Sequence, residues 1–159
     1  MATVEQDVRM QSGTFEDLDA VMEIMHSAFG RRFGEAWTRS QLAGILPMSG
    51  VSLVIALEPR TNTAVGFSLV RTVADEAELL LLAVLPAHHR RGVGARLLDD
   101  FLKRARNDGV ARVHLEVRDG NPAVGMYRNA GFSPVGRRRN YYHAPNGKRF
   151  DAITLAHEF

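Results

Sequence analysis

The residues best suited to chemistry lie in one short stretch, His89-Arg90-Arg91-Gly92-Val93-Gly94-Ala95. Glycines at 92 and 94 let the backbone approach a ligand closely and take conformations closed to other residues. A helical pattern starts at once after them. The first N–H groups of a helix lack partners within it and lie at the positive end of its dipole. A phosphate or diphosphate is the natural guest of such a turn, and Arg90 and Arg91 would add charge from the loop. Two other phosphate motifs do not fit. The dinucleotide fingerprint needs a third glycine where Leu97 stands, and the nucleoside-triphosphate loop needs Gly-Lys-Ser/Thr, which is absent. A purely structural turn is the competing reading of the two glycines.

Other chemistries drop out. The chain has no cysteine among its 159 residues, which removes disulfides, thiolate nucleophiles and cysteine-ligated zinc. His88 and His89 are not spaced like a metal pair with partners, so no metal is expected. The net charge is only +2, yet Arg137, Arg138 and Arg139 are adjacent and His88 to Arg91 form a second basic cluster. Such clusters suit polyanions, or in the first case a solvated face. A composition 45% hydrophobic and 24% charged is that of a soluble globular protein. No apolar run approaches the roughly 18 residues that cross a bilayer. The start, Met1 to Gln11, is polar and has no signal-peptide core, so a cytoplasmic location is expected.

The elements that must position this chemistry alternate in type. Val8 to Met10 reads as a short strand. Thr14 with Asp17 is a near capping box before Leu18, Val21, Met22, Met25 and Phe29, which repeat at helical spacing up to Gly30. Thr38 and Gln41, just after Trp37, form a second capping box that opens a short helix ending by Pro47 and Gly50. Val51 to Leu57 and Val65 to Arg71 are strands joined through Pro59 and Asn62. Glu78 to Leu85 is a leucine-rich run ending at Pro86, read as a strand buried on both faces. Val93, Leu97, Leu98, Phe101, Leu102 and Ala105 make an amphipathic helix that closes near Gly109. Val113, Leu115 and Val117 alternate with His114, Glu116 and Arg118 in another strand. Asn121-Pro122 predicts an N-cap with proline at the first helical position, and this helix carries Met126 and Tyr127 to Gly131. Two final strands flank the hairpin signal Asn146-Gly147. With no repeats or linkers, residues 1–159 read as a single domain.

At the glycine-containing loop the chain resembles the GCN5-related N-acetyltransferases (GNAT), whose coenzyme A loop follows Gln/Arg-x-x-Gly-x-Gly/Ala, with His89 here in the leading place. The resemblance implies an α/β fold, a mixed twisted sheet of about seven strands with helices on both faces, splayed between the strands at Val84 and Val113. It implies acetyl-CoA as co-substrate, its diphosphate held by the amides of Gly92, Val93, Gly94 and Ala95. Ala83, Val84 and Leu85 would meet the pantetheine arm and thioester. Leu115-Glu116-Val117-Arg118, Asn121, Tyr127 and Arg138-Arg139-Asn140-Tyr141-Tyr142 resemble the RimI branch, bacterial enzymes that acetylate the N-terminal alanine of a small-subunit ribosomal protein. A ribosomal-protein N-terminus is the acceptor so implied. A monomer is expected, with no membrane and no nucleic acid required.

An α-amine acceptor also makes physical sense. With a pKa of about 8, an α-amine is roughly 10% neutral at pH 7, whereas a lysine at about 10.4 is below 0.1% neutral. Glu116 could take the proton directly or through water, although Glu76 and Glu78 compete for that role and Glu116 could instead merely pair with Arg118. Tyr127, protonated at neutral pH, could protonate the departing thiolate, core packing being its other reading. The branch resemblance assigns these same two roles and gives Asn121 the pantetheine arm. A backbone N–H of Leu85 or Val84 would hold the oxyanion. Transfer would be direct, in a ternary complex. Trp37, Tyr141 and Tyr142, with Glu116, would border the acceptor, though hairpin packing suits the tyrosines nearly as well. The rival functions are acetylation of a polyamine, an antibiotic or a protein lysine, an acetyl-CoA sensor, or RNA binding through Arg137 to Arg139.

Overall fold

The computed structural model describes residues 8–159, so Met1 to Asp7 of the polar start lie outside the described residues. Strand β1 (Arg9–Ser12) leads to Thr14, whose hydroxyl and the Asp17 carboxylate form the expected capping box around a single 3₁₀ turn. Helix α1 (Leu18–Phe29) follows and ends at Gly30, where φ is +57°. Helix α2 (Arg39–Ile45) starts from the second capping box, Thr38 with Gln41. Then come β2 (Val51–Glu58), β3 (Thr63–Val73), β4 (Glu76–Val84), α3 (Val93–Asn107), β5 (Arg112–Arg118), α4 (Val124–Asn129), β6 (Ser133–His143) and β7 (Arg149–Glu158). Among the described residues no helix is long and apolar enough to cross a membrane.

One mixed sheet runs in the order β1-β2-β3-β4-β5-β7-β6. All neighbours are antiparallel except β4 and β5. Helices α1 and α2 pack Met22, Met25 and Leu42 against Ile55, Phe67 and Leu81 on one face. On the other face α3 and α4 pack Leu98, Phe101 and Tyr127 against Leu79, Leu115 and Leu155. The apolar stripe read at 93–105 is thus the stripe that α3 buries.

Two irregularities shape the sheet. In β4, Leu69 pairs with Leu81 and Val70 with Leu79, leaving Leu80 as an extra residue. Such a bulge bends its strand, and here the parallel pairing with β5 also ends, its last pair being Leu79 with Leu115. Beyond that pair β4 and β5 part. The splay therefore opens two residues past Val113, which itself still pairs with Ala77. Strand β4 is buried on both faces, as its apolar run implied. Leu79 and Leu81 are buried against opposite helical layers, while Leu80 and Leu82 between and beyond them are half-buried. In β6 the pairing jumps from Arg138 with Ala152 to Tyr142 with Phe150. Asn140, in between, has φ +55° and donates its N–H to Asp151 Oδ1 at 2.9 Å.

A third difference concerns α4. Asn121-Pro122 does not cap the helix, which begins at Val124 with Ala123 preceding it. Asn121 instead folds a turn, its Oδ1 accepting from the Ala123 N–H at 2.8 Å and its carbonyl from the Val124 N–H at 3.1 Å.

Candidate active site

The parting of β4 and β5 opens a cleft of about 740 Å³ through the sheet. At one end stands the N-terminus of α3. Its cap, Gly92, has φ +78°, makes no side-chain cap, and leaves open space where a Cβ would sit. Gly92, Val93, Gly94 and Ala95 line this end together with Arg90. A Cβ on Gly94 would lie 3.3 Å from Met126 Sδ, so that backbone runs close against the α4 side of the cleft. Unpaired first-turn amides, the helix dipole and a nearby guanidinium suit a diphosphate. Arg91 and Leu85 are not among the wall residues.

Along β4, Ala83 and Val84 line the middle of the cleft. The Leu85 N–H donates to the Val65 carbonyl at 2.8 Å, so it is committed to β3 and cannot serve an oxyanion. Successive residues of an antiparallel strand turn their backbone groups to alternate sides. Val84 therefore presents its N–H toward the parting. Its carbonyl on the same side accepts from His89 Nε2 at 2.8 Å. His89, in the place of the expected Gln/Arg, thus braces the loop on the strand it leaves.

At the far end Glu116, Thr154, Arg138 and Tyr142 project from one face of the sheet. Thr154 Oγ1 donates to Glu116 Oε2 at 2.7 Å, and Arg138 Nε lies 3.0 Å from Oε1. The Tyr142 hydroxyl reaches the Glu116 carbonyl at 3.4 Å. Glu116 is not the partner of Arg118, which pairs with Glu35 at 3.2 Å. Of the competing carboxylates, Glu78 lines the cleft between Arg71 and His114, at 3.2 and 3.7 Å. Glu76 faces Arg112 at 3.9 Å and is not among the wall residues. Trp37, Tyr141 and Tyr142 all border this end. Tyr141 is exposed and meets Tyr142 edge-on at 4.9 Å. Arg137 bridges Asp119 and Asp151 at 2.8 and 2.9 Å. Two of the three adjacent arginines are thus engaged by carboxylates.

Tyr127 is buried, edge-on to Phe132, and borders the cleft. Burial first, and then the charge of Glu35, hold its phenol well above the ordinary tyrosine range. Tyr142 is raised in the same direction by burial, with Glu35 the next cause. Both are therefore proton donors at neutral pH. Above about pH 10 the phenols of the unfolded chain ionise while these two stay protonated. The unfolded state then binds fewer protons, so stability falls as pH rises from there. Urea melts at about pH 9 and 11 should show the midpoint dropping, and Tyr127→Phe should flatten that drop. A Tyr127→Phe profile identical to wild type would contradict the burial of a neutral phenol.

Glu35 escaped the sequence reading. It lies between two helices in a segment without periodicity, and its partners, Arg118 and Asn121, are more than 80 residues away. Only the run of aromatic and glycine residues around it, Phe33-Gly34-Glu35-Ala36-Trp37, hinted at a packed rather than a solvated loop.

The model of the Acetyltransferase (GNAT) family matches residues 18–132. A ribosomal protein bS18-alanine N-acetyltransferase of Haemophilus influenzae is 39% identical over 95 residues, 60% of this chain and 65% of that protein. The one from Escherichia coli K12 is 40% identical over 91 residues, 57% of this chain and 61% of the other. The matched stretch thus spans less than two thirds of the length of either relative. The crystal structure of the ribosomal-protein-S18-alanine N-acetyltransferase from Escherichia coli superimposes with a TM-score of 0.84 at 30% identity, covering 95% of this chain and 93% of that one. The family match takes in β4, the parting, the mouth of α3, and both Glu116 and Tyr127, and the chain belongs to the GNAT acetyltransferase family.

Proposed function

We propose that this chain is a single-domain enzyme that transfers acetyl from acetyl-CoA to the N-terminal α-amine, an alanine, of a small-subunit ribosomal protein, acting in the cytoplasm. The observation that carries the reading is the through-sheet cleft, with free helix amides at one mouth and a carboxylate with a buried neutral phenol at the other. The names of the Haemophilus influenzae and Escherichia coli relatives support the choice of acceptor.

The residues present fit the donor. The amides of Gly92 to Ala95 and the Arg90 guanidinium suit its diphosphate, and the Val84 N–H is free to hold the thioester oxygen as charge develops there. Asn121 uses one amide hydrogen on Glu35 and one lone pair on Ala123, which leaves one of each for the pantetheine arm. Acetyl-CoA supplies an activated acyl carbon. Glu116 draws the acceptor's ammonium into the cleft and takes its proton, freeing the nitrogen lone pair. The N–C bond forms and the C–S bond breaks as Tyr127 gives its proton to the leaving sulfur. The second proton that nitrogen sheds on becoming an amide restores the phenol, and Glu116 releases the first to solvent. Thr154 and Arg138 hold the Glu116 carboxylate in place for this step. Transfer is direct, within a ternary complex.

Labelled acetyl-CoA incubated with the enzyme and a library of peptides, small amines and lysine peptides tests the acceptor. Label on the α-nitrogen of alanine-initiated peptides is expected. Label only on polyamines, antibiotics or lysine side chains would overturn the assignment.

A further inference from the structure

Glu35 is a carboxylate on the wall of the cleft with its side chain 9% exposed, on a loop between α1 and α2 that is pinned at three successive residues. Phe33 lies 3.5 Å under the Arg118 guanidinium and edge-on to Phe150. Gly34, at φ +71°, packs so closely that a Cβ would sit 2.1 Å from the His143 carbonyl oxygen. Glu35 Oε1 faces Arg118 Nε at 3.2 Å, a charge contact whose angle is not that of a hydrogen bond.

The aligned bond is on the other oxygen. Asn121 Nδ2 donates to Glu35 Oε2 at 2.9 Å, Asn121 Oδ1 accepts from the Ala123 N–H at 2.8 Å, and the Ala123 carbonyl accepts from the Tyr127 N–H at 3.2 Å. An unbroken chain of hydrogen bonds thus joins the loop to the backbone of the buried phenol. The turn it stabilises replaces the ordinary cap that α4 lacks.

We propose that Glu35 is a positioning residue for acetyl transfer, fixing Asn121 and through it the turn that sets Tyr127 in the cleft. The inference rests on the reading of Tyr127 as the acid. The charge of Glu35 felt at both Tyr127 and Tyr142 agrees with its closeness to the reacting end. Glu35 touches neither donor nor acceptor in this role.

Steady-state kinetics with acetyl-CoA and an alanine-initiated peptide test it. Glu35→Leu removes the acceptor for Asn121 and should lower kcat about tenfold, part of what a general acid contributes. It should also raise the KM for acetyl-CoA, because Asn121 serves the pantetheine arm, so the comparisons that follow are made on kcat at saturating acetyl-CoA. Glu35→Gln keeps an oxygen for Asn121 and should stay within about twofold of wild type. In a Tyr127→Phe background Glu35→Leu should cost nothing further, because the two act as one unit. Should Glu35→Leu fail to fold by its melting curve, Glu35→Leu with Arg118→Leu leaves no buried charge unpaired and carries the same expectation. Equal losses in the Gln and Leu variants, or a Leu loss that multiplies with Tyr127→Phe, would overturn the proposal while leaving Tyr127 as the acid. A Tyr127→Phe enzyme with full kcat would instead remove the acid reading, and this role with it.

Discussion

Glu116→Gln should bind acetyl-CoA as the parent does yet turn over roughly 100- to 1,000-fold more slowly, the size of a lost general base. The replacement keeps shape and can still accept from Thr154, so the strand should not move. What disappears is the site that receives the acceptor's proton and the charge that draws in its ammonium. Arg138 loses its partner but is 64% exposed, so water replaces that contact at little cost. Calorimetry on the donor alone separates binding from turnover. If kcat is unchanged, Glu116 is not the base, and Glu78, its competitor on the cleft wall, inherits the role.

Gly94→Val should act on the other mouth and in the opposite sense. A Cβ there already meets Met126 Sδ at 3.3 Å, with Leu82 and Val84 at 3.8 Å. Two further methyl groups must intrude on the opening over β4 or push α4 aside. Overpacking of this kind costs about 1–3 kcal/mol, which, falling on the donor's site, corresponds to an affinity about 5- to 150-fold weaker. At saturating donor the remaining rate should be nearly that of the parent where the methyl groups take the opening and leave α4, with Tyr127, in place. A fall in kcat as well would show that α4 has been pushed aside. Normal heat on titrating acetyl-CoA into Gly94→Val would sink the helix mouth as its diphosphate site. Gly92 is a useful contrast, since a Cβ there meets nothing within 4 Å and only its φ of +78° resists substitution. Gly92→Ala should cost stability, about 1–2 kcal/mol for a side chain held in the left-handed region, more than affinity.

The features that were legible in the sequence are those fixed by neighbours in the chain. Both capping boxes, the stripe of α3 and the glycines at its head depend on residues a few positions apart, and the structure shows them where the spacing placed them. Asn121-Pro122 placed the helix start too early: Asn121 Oδ1 does accept from the N–H two residues on, but the turn it closes precedes the helix, which begins at Val124. The other half of the same amide serves Glu35, a partner too distant in the chain to be read from spacing. Leu85 and Val84 could not be told apart without knowing which neighbour the Leu85 N–H would face. The ladder to β3 decides that. Arg118 next to Glu116 invited a local pair, and the structure gives it the remote Glu35 instead.

The break in pairing near Asn140 fixes partners rather than length. From Arg138 to Tyr142 strand β6 advances four positions while β7 advances two, from Ala152 to Phe150. The surplus residues bulge out, and the side to which Tyr142 points is set by its partner Phe150, two places from Ala152 and so on the same face. Arg138 and Tyr142 can for that reason both touch Glu116, one at its carboxylate and the other at its carbonyl. The same sheet absorbs single surplus residues at Leu80 and Val135 and keeps its ladder beyond them. Residues can therefore enter or leave the bulge near Asn140 and the wall still stands, so long as Tyr142 keeps Phe150 opposite.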